Sequence, residues 1–325
     1  MKCSCSLAVI LTVILSVNNL AAGEGPTYGG RLVFGIGNDL ETLNPFVRTR
    51  AGMSVMGLAY EALLDFNKDG KQVPSLAESW KISADAKTYS FRLRSGVKFH
   101  DGREMTAEDV KWSIEYAMDP QNGATGFVPL KKVQAVTVKD KSTLEIALQK
   151  SDVTFLSEAS SIRLFPVVAK ESLPRATRTV LSAPPGTGPF ILKEHKSARE
   201  TILARHKDYW QKGIPYLDEL ILKPVLEDQV RLASLRAGDL DMIERTPYSF
   251  VSKLVKGEYR QLKTTVAKYD GFRRLIFNVA APPFNNAKLR QAVHYALDKR
   301  KYIGGSFWGL GEPRISCGPR KALGI

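Results

Sequence analysis

The stretch Val73–Tyr116, VPSLAESWKISADAKTYSFRLRSGVKFHDGREMTAEDVKWSIEY, decides how this chain folds. Tyr89, Phe91 and Leu93 alternate with Ser90, Arg92 and Arg94, a period of two that marks a half-buried strand. Val97 and Phe99 resume the apolar pattern, and His100-Asp101-Gly102 supplies turn chemistry, with Gly102 free to take positive φ. Thr106 stands three residues before Asp109, an N-terminal capping arrangement. Val110, Ile114, Ala117 and Met118 then follow at helical spacing. Strand, turn and capped helix follow in quick succession, and none of these residues forms a catalytic set.

Outward from that stretch, the 325 residues are 44% hydrophobic and 25% charged, the make-up of a globular chain with room for two cores or one large one. Residues 1–23 differ. Lys2 precedes an uncharged apolar run, Leu7 to Val17, and small residues follow at Ala21, Ala22 and Gly23, the pattern of a secretory signal peptide. The run is too short to span a membrane. Cys3 and Cys5 leave with that segment, and no cysteine follows the run where a lipid anchor would need one. Cys317 then stands alone, so an internal disulfide is not expected. The net charge is +14, yet basic and acidic residues are interspersed without a run of five or six like charges. That reads as a solvated surface rather than a polyanion site. Export also separates the protein from nucleic acid.

Arg31 to Ile36 reads as a strand opening into GIGNDLETLNPF. Leu40 stands where a dinucleotide fingerprint needs its third glycine, so Gly35-x-Gly37 fails as that motif. Asn38, Asp39, Thr42, Asn44 and Pro45 give the loop local hydrogen bonding and a fixed turn. Met53 to Leu64 has helical spacing, and Val133–Val138 with Thr143–Leu148 reads as a hairpin. Thr154 to Val168 is apolar with helix-like parts, limited by Pro166. Ser182 to Leu192, SAPPGTGPFIL, is a rigid loop leading into a strand. Tyr209-Trp210 is either a packed corner or a stacking pair for a ligand. Asp228 to Ala237 is an amphipathic helix that Gly238 can close, and Asp241 to Ile243 is a short strand leaving into ERTP. The strand–helix–strand order here predicts an α/β layer with parallel pairing, and ligands bind such sheets beyond the carboxyl ends of strands. Glu244, Arg245 and Thr246 would project there, as cleft contacts or as a solvated loop. Leu262–Ala267 and Phe272–Val279 read as extended segments. Asn285 or Asn286 caps a helix with Leu289, Ala292, Val293, Ala296 and Leu297 on one face. His294 has no second ligand at metal spacing.

The blocks LAESW, KTYSFRLRSGVKFHDG and TAEDV resemble the shared segment of the family-5 periplasmic solute-binding proteins, the dipeptide, oligopeptide and nickel receptors of ATP-driven importers. GTGPF, RHKDYWQKGIPYLDELIL and PPFNNAKLRQAVHYALDKRKYI extend the resemblance from about Arg31 to Pro313. It implies an α/β, periplasmic-binding-protein-like two-lobed fold. The expected organisation is a signal peptide (1–23), a first lobe (24–255, with about 50–180 an inserted subdomain), and a hinge crossing with the start of a second lobe (256–325). The family pattern continues beyond this point, and ISCGPRKALGI does not resemble its continuation, so the sequence reads as a C-terminally truncated receptor with the second lobe largely missing.

The implied function is a non-enzymatic periplasmic receptor that closes around a di- or oligopeptide and delivers it to the permease and ATPase subunits of an ABC importer. The alternatives are nickel or another solute, or a truncated receptor without function. No cofactor, metal or nucleic acid is implied, and a monomer is expected. The segment equivalent to TLNP lies at the mouth of the cleft in the receptors it resembles. The candidate ligand contacts are therefore Asn38, Asp39, Thr42, Leu43, Asn44, Glu244, Arg245, Thr246 and, on the crossing, Phe272. A secreted hydrolase is the competing class, but G-x-S-x-G and H-E-x-x-H are both missing from the sequence. A polyanion-binding module is the third.

Overall fold

The computed structural model describes residues 8–15, 25–47, 49, 52–67, 69–125, 128–161, 165–174, 182–244, 246–259, 261–269, 275–309, 311 and 313. In chain order the strands are β1 (Ala8–Leu15), β2 (Arg31–Ile36), β3 (Leu64–Phe66), β4 (Gln72–Pro74), β5 (Ala77–Ile82), β6 (Thr88–Leu93), β7 (Val133–Asp140), β8 (Thr143–Leu148), β9 (Phe190–Lys196), β10 (Glu200–Arg205), β11 (Glu219–Pro224), β12 (Met242–Ile243) and β13 (Leu262–Tyr269). The helices are α1 (Gly52–Ala59), α2 (Ala107–Met118), α3 (Phe155–Ala159), α4 (Asp228–Ala237), α5 (Tyr248–Val255), α6 (Ala287–Ala296) and α7 (Lys299–Phe307). The chain divides into two compact units, Gly23–Val33 with Asn38–Pro224, and Met1–Ala22 with Phe34–Gly37 and Val225–Ile325.

The first of these units holds the core foreseen from Val73–Tyr116. The sheet β5-β6-β8-β7 is antiparallel throughout, and β6 buries Tyr89, Phe91 and Leu93 while Arg92 stays exposed, as the alternation requires. Burying an apolar side chain of this size contributes about 1.5–3 kcal/mol, so these three alone account for several. Helix α2 adds Val110, Ile114, Tyr116 and Ala117 to the same core. Its cap is the expected one. The amide and hydroxyl of Thr106 both donate to Asp109 Oδ2 at 2.8 Å, while Asp109 Oδ1 accepts from the distant Lys170 amide at 2.9 Å. The hairpin β7–β8 pairs Val136 with Ile146 and Val138 with Leu144. Strands β9, β10 and β11 form an antiparallel meander, and the chain enters beside it through Gly29, whose amide donates to Tyr216 O at 2.8 Å.

One expectation changes here. The helix predicted over Met53–Leu64 stops at Ala59, because the carbonyls beyond that point are bonded elsewhere. Ala59 O accepts from Gly188 N at 3.1 Å, Leu63 O from Ala77 N at 2.8 Å, and Leu64 enters β3 opposite Pro74. Among the described residues of Thr154–Val168, α3 is the helical part, in keeping with the helix-like pattern there.

In the other unit, β12 pairs in parallel with the end of β2, which matches the expected parallel layer. Strand β1 pairs antiparallel with both β12 and β13. Its Val9, Ile10, Val13 and Ile14 belong to the run read as a leader core, and β-branched residues favour this extended form. Gly238 closes α4 at φ 86, as expected. Helix α6 is capped by Asn286, whose side chain accepts from the Lys288 amide at 2.9 Å. Neither α6 nor α7 contains a buried residue. Of the second extended segment, 275–278 has no regular structure and 272–274 lie outside the described residues.

Candidate functional site

The carboxyl ends of β2 and β12 lie side by side, with Phe34 opposite Met242 and Gly35 opposite Ile243. Glu244 continues this pairing, its amide donating to Gly35 O at 3.1 Å. Its carboxylate then turns back to accept the Gly37 amide at 2.8 Å. The ends of neighbouring parallel strands thus meet at a carboxylate, in the position where open α/β sheets place ligands. Gly35 is required by crowding, since a Cβ there would fall 2.6 Å from Leu240 Cδ1 and 3.2 Å from Arg231 Cγ.

Arg231, fully buried on α4, braces this corner. Its Nε donates to Glu244 O at 3.1 Å, its Nη1 to Val225 O, and its Nη2 pairs with Asp228. Val225 N in turn donates to Ile36 O at 2.8 Å. A buried guanidinium is tolerable only when its donors are matched in this way, and its planar fork suits several carbonyls at once. Thr246 is buried beyond the corner. Arg245 and Phe272 lie outside the described residues.

The remaining candidates belong to the unit built around the four-stranded sheet. Asp39 takes the Leu40 amide at 2.8 Å on Oδ1, and the Ser197 hydroxyl at 3.0 Å and Ala198 amide at 2.6 Å on Oδ2. It therefore ties its loop to the β9–β10 turn. Thr42 Oγ1 accepts from Asn44 N at 3.1 Å, and Asn44 Oδ1 accepts from Phe46 N at 3.0 Å. Asn44 is buried at 2% exposure and fixes the turn; Asn38, Thr42 and Leu43 are half-buried. Leu40, Thr42, Leu43, Asn44, Met56 and Tyr60 line a depression of about 20 Å³, room for a single water. This loop is a mount with an accessible rim rather than a ready-made pocket.

Tyr209-Trp210 resolves as the packed corner. Tyr209 OH donates to Glu61 Oε1 at 2.9 Å, Trp210 Nε1 reaches both Glu61 oxygens at 3.0–3.1 Å, and Arg94 lies over the indole at 4.6 Å. Burial pushes the Glu61 carboxyl above its ordinary value, against these hydrogen bonds. Two groups escaped the sequence reading. Arg231 sits in a helix pattern that reads equally as a solvated face. His100 and His206, far apart in sequence, both bond Gly188 O at 3.1 Å. Among the described residues no group of three or more His, Cys, Asp or Glu could hold a metal ion, and no helix is long and apolar enough to cross a membrane.

The family model of the bacterial extracellular solute-binding proteins, family 5, matches residues 71–323. Heme-binding protein A of Haemophilus influenzae is 33% identical over 274 residues, covering 78% of this chain and 50% of the relative. AgaA of A. tumefaciens R10, solved with agropinic acid, superposes with a TM-score of 0.80 at 31% identity, over 90% of this chain and 59% of that one. DppA of Helicobacter pylori, solved with the peptide STSA, gives a TM-score of 0.77 at 25% identity, over 91% and 62%. The chain spans about half the length of the curated relatives it matches.

Proposed function

The chain belongs to the bacterial extracellular solute-binding proteins of family 5, and on that footing we propose that it acts as a periplasmic receptor for di- or oligopeptides. The cargo would be handed to the permease and ATPase subunits of an ABC importer, with the receptor a monomer in the periplasm. Binding would proceed by closure of a cleft, the lobes running as the sequence suggests from 24 to 255 and from 256 onward, behind a removable leader (1–23).

One observation carries this reading: the Glu244 carboxylate stands at the joined carboxyl ends of parallel strands and holds the Gly37 amide at 2.8 Å. A carboxylate at such a strand end suits a peptide, which offers an ammonium at one end and amides along its length. Asn38, Asp39, Thr42, Leu43, Asn44 and Thr246, with Arg245 and Phe272, complete the proposed set of contacts. The peptide-bound DppA supports this choice. The relatives are named as binding proteins, which favours a receptor over a secreted hydrolase. Heme is the second reading, favoured by the relative at 33% identity, and other solutes such as nickel complexes form a third.

Calorimetric titration of the purified protein with Ser-Thr-Ser-Ala, with hemin and with nickel–histidine separates these readings. The tetrapeptide is expected to bind, and Glu244→Ala to weaken it by about 10–100-fold, the loss of a charge-assisted contact of about 1.5–3 kcal/mol. Binding of hemin or nickel–histidine with no heat from peptides would overturn the peptide assignment.

A further inference from the structure

The segment Pro184–Gly188 is gripped by two histidines that the receptor reading does not use. His100 lies in the turn after β6, and His206 follows β10. Their rings meet edge to face with centroids 5.0 Å apart. His100 Nε2 and His206 Nδ1 each lie 3.1 Å from the same acceptor, Gly188 O. Gly186 N donates to His100 Nδ1 at 3.3 Å, which fixes that ring as the neutral form protonated at Nε2. The backbone repeats the grip, with His100 N on Gly186 O at 2.8 Å and His206 N on Pro189 O at 2.9 Å.

A proton added at His100 Nδ1 would set an N–H against the Gly186 N–H, removing one bond and creating a repulsion. Two charged rings at this separation would also repel each other in partly buried surroundings. The neighbouring charges do not compensate. Asp101 beside His100 and Asp208 beside His206 favour the charged forms, while Lys193 and Lys98 oppose them. Lys98 also pairs with Asp208 at 3.1 Å, which shares out that carboxylate. Tyr209, at 6.4 Å between ring centroids from His206, adds no charge at neutral pH. Burial, the largest effect, holds His100 down to about 4 and moves His206 in the same direction.

We propose that the His100–His206 pair is an acid-sensitive latch on the Pro184–Gly188 segment, closed while His100 is neutral and released when its Nδ1 takes a proton. Ala183 and Leu192, which flank this segment, line the depression beside Thr42 and Asn44. Release would therefore loosen the mount of that loop and weaken ligand retention in acid. The consequence for ligand rests on the receptor reading; the latch itself does not, and it is tested without ligand.

The test is amide hydrogen exchange at Gly186 and Gly188 at pH 7 and pH 5, corrected for intrinsic rates, with NMR titration of both rings. Protection at these amides is expected to fall roughly 20-fold between the two pH values, from a ring whose affinity for protons is suppressed from about 6.5 to about 4. His100→Gln, whose amide can donate to Gly188 O without titrating, is expected to show nearly equal protection at both. Unchanged wild-type protection, or the same loss in His100→Gln, overturns the latch. Should that variant fail to fold, the wild-type titration decides alone: a His100 ring titrating near 6.5 refutes it.

Discussion

Gly188→Ala is the sharpest probe of how the proline- and glycine-rich loop sits on α1. A Cβ built on Gly188 would fall 2.6 Å from the carbonyl carbon of Ala59, 2.6 Å from Leu58 O and 2.9 Å from Ala59 O. All three are backbone atoms at the end of a helix, so none can swing aside as a side-chain tip would. The Gly188 amide is also committed to Ala59 O at 3.1 Å, so the loop cannot lift without losing that bond. Overpacking usually costs about 1–3 kcal/mol, and a clash confined to backbone belongs at the top of that range, so a loss of about 3 kcal/mol is expected. For a cooperative unit the size of Gly23–Val33 with Asn38–Pro224, that corresponds to a fall in Tm of about 6–12 °C. Gly57, on the exposed side of the same helix, is the internal control. A Cβ there meets nothing within 4 Å, and Gly57→Ala is expected to stabilise by about 0.5–1 kcal/mol through helix propensity. Urea denaturation followed by tryptophan fluorescence reads both. If Gly188→Ala matches the wild type, or if the two substitutions behave alike, the close approach of this loop to α1 is wrong.

Asp109→Ala removes the acceptor of the Thr106 amide, the Thr106 hydroxyl and the Lys170 amide at one buried position. A loss of about 2–3 kcal/mol in urea denaturation is expected, against about 1 for an ordinary cap. Asp152, held down to about 2 by its bond to Lys132 and then by Thr154, contributes stability that is complete above its unfolded value near 4 and disappears as pH falls through 2. Asp152→Asn is expected to cost about 1–2 kcal/mol at pH 7, allowing for solvent screening of its partly exposed carboxylate, and to match the wild type near pH 2 in acid-denaturation curves.

The parts of this fold that were legible beforehand are those in which a local pattern and a tertiary demand agree. Tyr89, Phe91 and Leu93 alternate because one face of β6 is buried, and Thr106 with Asp109 marks a helix start because orphan amides need acceptors within a turn. Gly238 and Asn286 announced their helix ends for similar local reasons. The helical pattern over Met53–Leu64 outlasts the helix itself, which ends at Ala59, because its stop is not local. The partners that claim the carbonyls of Ala59 and Leu63 are Gly188 and Ala77. At the strand-end corner, the order of strand, helix and strand places Glu244 at a strand end, but Arg231 was hidden. A single arginine on an amphipathic helix carries no mark that its guanidinium will be swallowed and shared among Val225, Glu244 and Asp228. Asp39 was legible as a loop residue but not as a tie to Ser197 and Ala198, a relation spanning more than 150 residues. The His100–His206 pair is likewise a product of topology alone.

The ties from α2 to the segment 165–174 also bear on how the chain comes together in time. Ser113 Oγ accepts from Val168 N at 3.1 Å across 55 residues, and Asp109 reaches Lys170 across 61. Closing a flexible loop of that length carries an entropy cost of roughly 3–4 kcal/mol from its length alone, set against hydrogen bonds worth about 1 kcal/mol each. These contacts therefore cannot seed the fold. The β7–β8 hairpin lies inside the same span and closes through its own short turn, Asp140 to Thr143. Once zipped, it removes most of its residues from the effective loop and brings the ends of the remainder closer. The hairpin is thus a kinetic splint: local pairing comes first, and only then can the bonds from α2 to Val168 and Lys170 form at an acceptable entropic cost.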